Sequence, residues 1–141
     1  CRTDELVAIC TPAYPLARLA SAGAQTLAEY EYLAREPGSG TRAVVDAYFS
    51  DAGVATTSLK TQVELGSNEA LKGVVATGLG FAILPRLAAA KEIQRGELLA
   101  IPLAPPLSRN IWLVQPEDRF RSRLVSTFAQ FARQQFKEIP R

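Results

Sequence analysis

Two arginines, a glutamate and two hydroxyl residues crowd one eight-residue stretch, Arg35-Glu36-Pro37-Gly38-Ser39-Gly40-Thr41-Arg42. Each guanidinium offers a fork of N–H donors that fits a carboxylate or phosphate. Gly38 and Gly40 let the backbone turn tightly and come close to a ligand. Ser39 or Thr41 can cap a following helix. The first N–H groups of that helix lack partners and sit at its positive end. Together these features suit a small carboxylate, sulfate or phosphate. The same residues also serve a plain strand-to-helix turn with a local cap. Either arginine can equally bind a neighbouring carboxylate such as Glu36.

A second chemistry competes for this stretch. Gly38-x-Gly40-x-x-Ala43 matches the dinucleotide fingerprint with Ala in its last place, and Glu64 falls about where a ribose-binding acid is expected. Against it, Pro37 stiffens the approach to the first glycine, and the chain lacks the long repeated strand–helix half such a site needs. A Gly-x-x-x-x-Gly spacing lies between Gly73 and Gly80, but no Lys follows, so there is no P-loop. Glu64 and Glu69 could pair as acid and base; one exposed acid and one helix-dipole acid is the plainer reading.

The chain has no His, which removes Ser-His-Asp and Cys-His catalysis and most zinc sites. Its cysteines, Cys1 and Cys10, are too few for a disulfide framework. Both are read as reduced thiols, Cys10 as a small core hydrophobe. No cofactor is expected.

The elements that must position the glycine turn follow from apolar patterning. With 48% apolar and 21% charged residues, 141 residues suffice for one folded domain. No apolar run approaches the length of a membrane span, and no secretory signal opens the chain. With no Met and Cys1 at the start, we expect a piece of a longer product. The net charge of +2 is too balanced to imply nucleic-acid binding. Arg119, Arg121, Arg123, Arg133, Lys137 and Arg141 ring the last helix and read as a solvated face.

Glu5–Cys10 reads as a buried strand ended by Pro12 and Pro15. Ser21 to Gln25 reads as a loop, and Thr26 as the cap of a short helix over Leu27 to Tyr30. Tyr32 to Arg35 is the next strand. Val44, Val45, Tyr48 and Phe49 recur at helical spacing over Ala43 to Asp51, with Gly53 closing the helix. Thr61 to Leu65 is a strand. Ser67 caps a helix with Glu69 in its first turn and Leu71, Val74 and Val75 on its buried stripe; Gly78 ends it. Leu79 to Leu84 is a continuous apolar strand. Pro85 opens a helix over Arg86 to Gln94 that Gly96 ends. Leu98 to Leu103 and Ile111 to Val114 are strands, and Phe120 to Phe136 is an amphipathic helix with Phe120, Leu124, Phe128, Phe131 and Ala132 on one face. Strands alternating with helices imply an α/β sheet, mostly parallel, with ligands beyond the strand ends. The turns at 35–42 and 65–69 qualify.

Three blocks carry a more specific signal. They are the 35–42 stretch, Val63-Glu64-Leu65-Gly66-Ser67-Asn68-Glu69-Ala70-Leu71-Lys72, and Val75-Ala76-Thr77-Gly78-Leu79-Gly80-Phe81-Ala82-Ile83-Leu84-Pro85. In order and spacing they resemble the effector-binding domain of the LysR-type transcriptional regulators. Thr11-Pro12-Ala13-Tyr14-Pro15-Leu16-Ala17 is similar to a further family stretch that usually has His at the place of Tyr14. The resemblance covers nearly the whole chain.

It implies a type 2 periplasmic-binding-protein-like α/β fold of two lobes, one complete and one partial. Residues near 18–95 would form the second lobe, and 1–17 with 96–141 the crossovers and part of the first. A small anionic inducer would lie between lobes. The implied contacts are Arg35, Glu36, Pro37 and Ser39 in the first turn, Gly78, Gly80 and Phe81 at a strand entry, and Thr11 at the crossover. Phe81 fits a core aromatic equally well. The resemblance further implies a cytoplasmic sensor, not an enzyme. It would pair as a homodimer within a tetramer and meet DNA only through a helix-turn-helix absent from these residues. With part of the first lobe missing, the last helix is expected to expose apolar surface and drive association. A nucleotide- or small-molecule-binding enzyme domain on the glycine turn is the competing reading, and a transport binding protein of the same fold a third.

Overall fold

The computed structural model describes residues 2–114 and 122–138. The chain divides into two compact units, Asp4–Arg109 and a smaller one of Cys1–Thr3 with Asn110–Arg141. The expectations for Cys1, Arg119, Phe120 and Arg121, and for the side chains of Phe136, Lys137 and Arg141, lie outside the described residues.

In the larger unit the sheet is sandwiched between helices. Strand β1 (Arg2–Cys10) starts earlier than its apolar run suggests. Its residues alternate between two cores. Leu6, Ala8 and Cys10 face one that holds Val45, Tyr48 and Phe49, while Val7 and Ile9 face one that holds Leu71 and Val75. The same division holds for β2 (Glu31–Arg35), with Tyr32 and Ala34 on one side and Leu33 on the other. Helix α2 (Gly40–Asp51) covers the first face and α3 (Asn68–Val75) the second. This double covering is why these strands read as unbroken apolar runs.

β2 pairs in parallel with β3 (Lys60–Leu65), and Tyr32 bridges in parallel to Phe81 just ahead of β4 (Ala82–Pro85). β1, however, runs antiparallel to both β4 and β5 (Leu99–Ile101). A mostly parallel sheet is therefore corrected. Strand–helix alternation constrains consecutive strands, and β1 is consecutive with neither partner.

Other bounds also move. The short helix α1 spans Ala24–Leu27 with Gly23 in the capping place, not Leu27 to Tyr30 under Thr26. Ala22 is pinned between the backbones of Pro102 and Ala104, and the chain turns directly after it. β4 begins later than the apolar run, because Gly78 at φ +80° precedes a half-exposed Leu79 that joins no ladder. The helix after Pro85 is a 3-10 turn, Arg86–Ala89, followed by α4 (Ala90–Gln94). The strand expected at Ile111 to Val114 is β6 (Leu107–Ile111). Its polar Ser108, Arg109 and Asn110 disguised a strand that pairs with β1, while Trp112, Leu113 and Val114 stand exposed beyond it.

In the smaller unit, α5 (Arg123–Glu138) buries Ala129 and Ala132. Leu124, Phe128 and Phe131 are exposed, as are Arg123 and Arg133.

Candidate functional site

Beyond the end of β2, Glu36 to Ser39 form a reverse turn, closed by the Ser39 N–H donating to the Glu36 carbonyl at 3.2 Å. Pro37 holds the second position, and Gly38 the third at φ +88°. That is the pattern of a type II turn, whose third position demands glycine. Ser39 then caps α2, its Oγ accepting from the Arg42 N–H at 3.4 Å. The N–H groups of Gly40 and Thr41 lead the helix and have no carbonyl four residues back to meet.

Because β2 and β3 are parallel, their turns lie at the same sheet edge. The Glu36 N–H donates to the Leu65 carbonyl at 3.1 Å. Ser67 caps α3 by accepting from the Ala70 N–H at 3.1 Å. Arg35 ties the turns together. It donates to both Glu36 carboxylate oxygens, at 2.8 and 3.0 Å, and to Oδ1 of Asn68. The role of Asn68 toward Arg35, 33 positions away, has no local signal.

The cations here are already paired. The Arg35 guanidinium holds the Glu36 carboxyl below its ordinary range. Arg42 donates to both Asp46 oxygens at 2.9 Å, to Glu64 at 2.8 Å and to the Arg35 carbonyl at 2.8 Å. Its own pKa is raised, first by Glu64. Glu64 is thus a partner of Arg42. Glu64 and Glu69 do not pair, since Glu69 bonds Lys72 at 2.9 Å. What the turn offers an anion is the Ser39 hydroxyl, the leading N–H groups of α2 and the helix dipole. Thr41 is buried, and its Oγ1 accepts from Arg109 Nη1 at 2.9 Å; Arg109 Nε donates to Asp4 at 3.0 Å. Neither Asp4 nor Arg109 carries a sequence signal, since partners 105 positions apart show no spacing to read.

The remaining candidates are elsewhere. The parallel bridge from Tyr32 to Phe81 places the entry to β4 beside the start of β2, not its end. Thr11, Gly78, Gly80 and Phe81 therefore gather near Glu31. At the ~3.3 Å rise of a strand, Glu31 stands about 13 Å from Arg35. Phe81 is fully buried, its ring 5.4 Å from that of Tyr32. Gly80 permits close backbone approach, because a Cβ there would collide with the Glu31 carbonyl oxygen. A Cβ on Gly78 would meet Thr11 Oγ1 at 3.9 Å. Tyr14 donates to the Glu31 carboxylate at 2.6 Å. Arg35, Glu36, Pro37 and Ser39 thus lie at one end of β2, and Gly80 and Phe81 beside the other.

A separate apolar groove of about 530 Å³ runs along the flank of α2, lined by Val44, Tyr48, Pro105 and Leu107 among others. It does not include the glycine turn.

The LysR substrate binding domain profile matches residues 1–137. The chain belongs to that family. A probable RuBisCO transcriptional regulator from Nostoc sp. is 32% identical over 134 residues, 94% of this chain but 40% of the relative. The chain thus spans about 40% of the length of such curated relatives. Among solved structures, the Synechocystis CcmR regulatory domain in complex with 2-PG is 26% identical with a TM-score of 0.81, covering 99% of this chain and 66% of that one. The effector-binding domain of QuiR in complex with shikimate is 23% identical with a TM-score of 0.82, covering 97% and 63%. The LysR substrate-binding domain has the type 2 periplasmic-binding-protein-like fold, and its role is that of an effector-binding regulatory domain. The dinucleotide reading gains nothing from these likenesses.

Proposed function

We propose that this LysR-type domain senses a small anionic effector at the glycine turn, through Ser39, the leading N–H groups of α2 and the flanking Arg35, Glu36 and Pro37. The observation that carries this is the pairing of two capped helix starts, α2 and α3, held edge to edge by Arg35 and Asn68. Support comes from the neighbours that hold small ligands, 2-PG in one and shikimate in the other. Thr11, Gly78, Gly80 and Phe81 take structural roles at the far end of β2. The chain's ends, before about residue 18 and after about 95, belong with a first lobe that the rest of a longer regulator completes. That regulator is cytoplasmic, not an enzyme, works as a homo-oligomer and binds DNA through a separate segment. Among the described residues no helix is long and apolar enough to cross a membrane.

Effector binding acts by favouring one conformation over another, and a coupling of about 1–3 kcal/mol suffices to bias a regulator. The test is a thermal-shift panel of sulfate, inorganic phosphate, small carboxylates, 2-PG and nicotinamide nucleotides on the complete effector domain. A saturable shift with a small anion is expected. A shift with nicotinamide nucleotides alone would overturn the reading.

A further inference from the structure

The chain passes between its two compact units at two places, Thr3–Asp4 and Arg109–Asn110. The two residues on the larger unit's side of these crossings, Asp4 and Arg109, are joined by an ion pair of 3.0 Å. Asp4 is 5% exposed in this pair, so its carboxylate depends on that guanidinium for charge compensation. The other arm of the same guanidinium reaches Thr41 Oγ1 at 2.9 Å. Thr41 is buried in the first turn of α2, two residues after the capping Ser39. One planar group therefore touches both crossover strands and the start of the helix that leads out of the glycine turn.

We infer that Arg109 is a positioning residue that couples the first turn of α2 to the crossover strands β1 and β6. This deepens the effector reading above and rests on it for its purpose: whatever settles on the leading N–H groups of α2 is felt through Thr41 and Arg109 where the chain leaves the unit. The guanidinium is suited to this because its fork fixes two directions at once. A lysine ammonium in its place is a single point with no such fork. No part of Arg109 need touch the effector.

The coupling can be read without any ligand, so it stands or falls separately from the effector assignment. Amide hydrogen exchange would be followed by mass spectrometry on the complete chain and on Asp4→Asn, Thr41→Val, Arg109→Gln and Arg109→Lys. Asp4→Asn is expected to speed exchange of the α2 amides from Ala43 to Val45, and Thr41→Val that of the β6 amides, each about tenfold, the scale of a direct pairwise coupling. In the Arg109→Gln background neither substitution should add anything. Arg109→Lys retains the positive charge beside Asp4 and guards against the case in which Arg109→Gln does not fold. It should uncouple the two ends while melting near the parent temperature. If Asp4→Asn alters exchange only in β1 and β6, and Thr41→Val only in α2, the coupling role is overturned. Transmission through Arg109→Lys equal to that of the parent would also overturn it.

Discussion

Glu31 and Tyr14 show how a single hydrogen bond ties residues 17 positions apart. The Tyr14 hydroxyl holds the Glu31 carboxyl below its ordinary value of 4.5. Burial and the Glu31 bond together push the Tyr14 hydroxyl up. A carboxyl with a depressed folded-state pKa stabilises the fold above its unfolded value, and that stability is lost as pH falls through the folded one. Tyr14→Phe should therefore cost about 1–2 kcal/mol at pH 7, and the deficit should shrink below about pH 4.5, as urea melts at pH 7 and pH 3 would show. Gly80 is constrained differently. A methyl there collides with backbone, which cannot swing aside, so Gly80→Ala should destabilise by about 1–3 kcal/mol in the same assay. Both residues sit away from the glycine turn, and neither substitution should weaken effector binding in proportion.

Among the elements, α3 and α4 are joined by one buried ammonium. Lys72 donates to Glu92 at 2.8 Å and to the Ala88 carbonyl at 2.9 Å, and pairs with Glu69 at 2.9 Å. Burial alone would lower the Lys72 pKa, but its two carboxylates outweigh that and hold it raised. The two acids differ in exposure, 23% for Glu92 and 81% for Glu69. Glu92→Gln should then be the more destabilising of the two, because it strips the buried Lys72 ammonium of its less exposed partner. Glu69→Gln should cost under about 0.5 kcal/mol, the usual worth of an exposed pair. Chemical denaturation of the two variants checks the contrast. The elements themselves were legible wherever the chemistry was local. Ser39, Ser67 and the apolar runs of β1 and β4 announce caps and double-covered strands. β6 was not legible, because its ladder runs through Ser108, Arg109 and Asn110 and its only apolar signal lies at its edges. The strand directions of β1 were hidden for a related reason: no rule about neighbours in sequence reaches partners 73 to 93 positions away.

At the scale of the whole molecule, the three blocks that resemble the LysR regulators made the family legible, while the separation of Arg35 from Gly80 along β2 was not. Spacing along the chain placed Gly80 and Phe81 at a strand entry but could not say which end of β2 that entry adjoins. The exposed Leu124, Phe128 and Phe131 on α5 give the isolated chain a reason to self-associate. Sedimentation velocity should show species larger than a monomer, and a monodisperse, cooperatively melting monomer would count against this. The central claim concerns the glycine turn, and Gly40 tests it most directly. A Cβ on Gly40 would meet nothing within 4 Å, so the fold tolerates Ala there. On a helix that Cβ leans toward the N-terminus, into the space an anion would occupy. Titration calorimetry of inorganic phosphate and small carboxylates against the complete effector domain, parent and Gly40→Ala, should show at least one saturable ligand whose affinity falls tenfold or more in the variant, a loss of about 1.4 kcal/mol, while the unliganded melting temperature does not drop. Equal affinities in the two proteins would place the effector elsewhere and contradict the account.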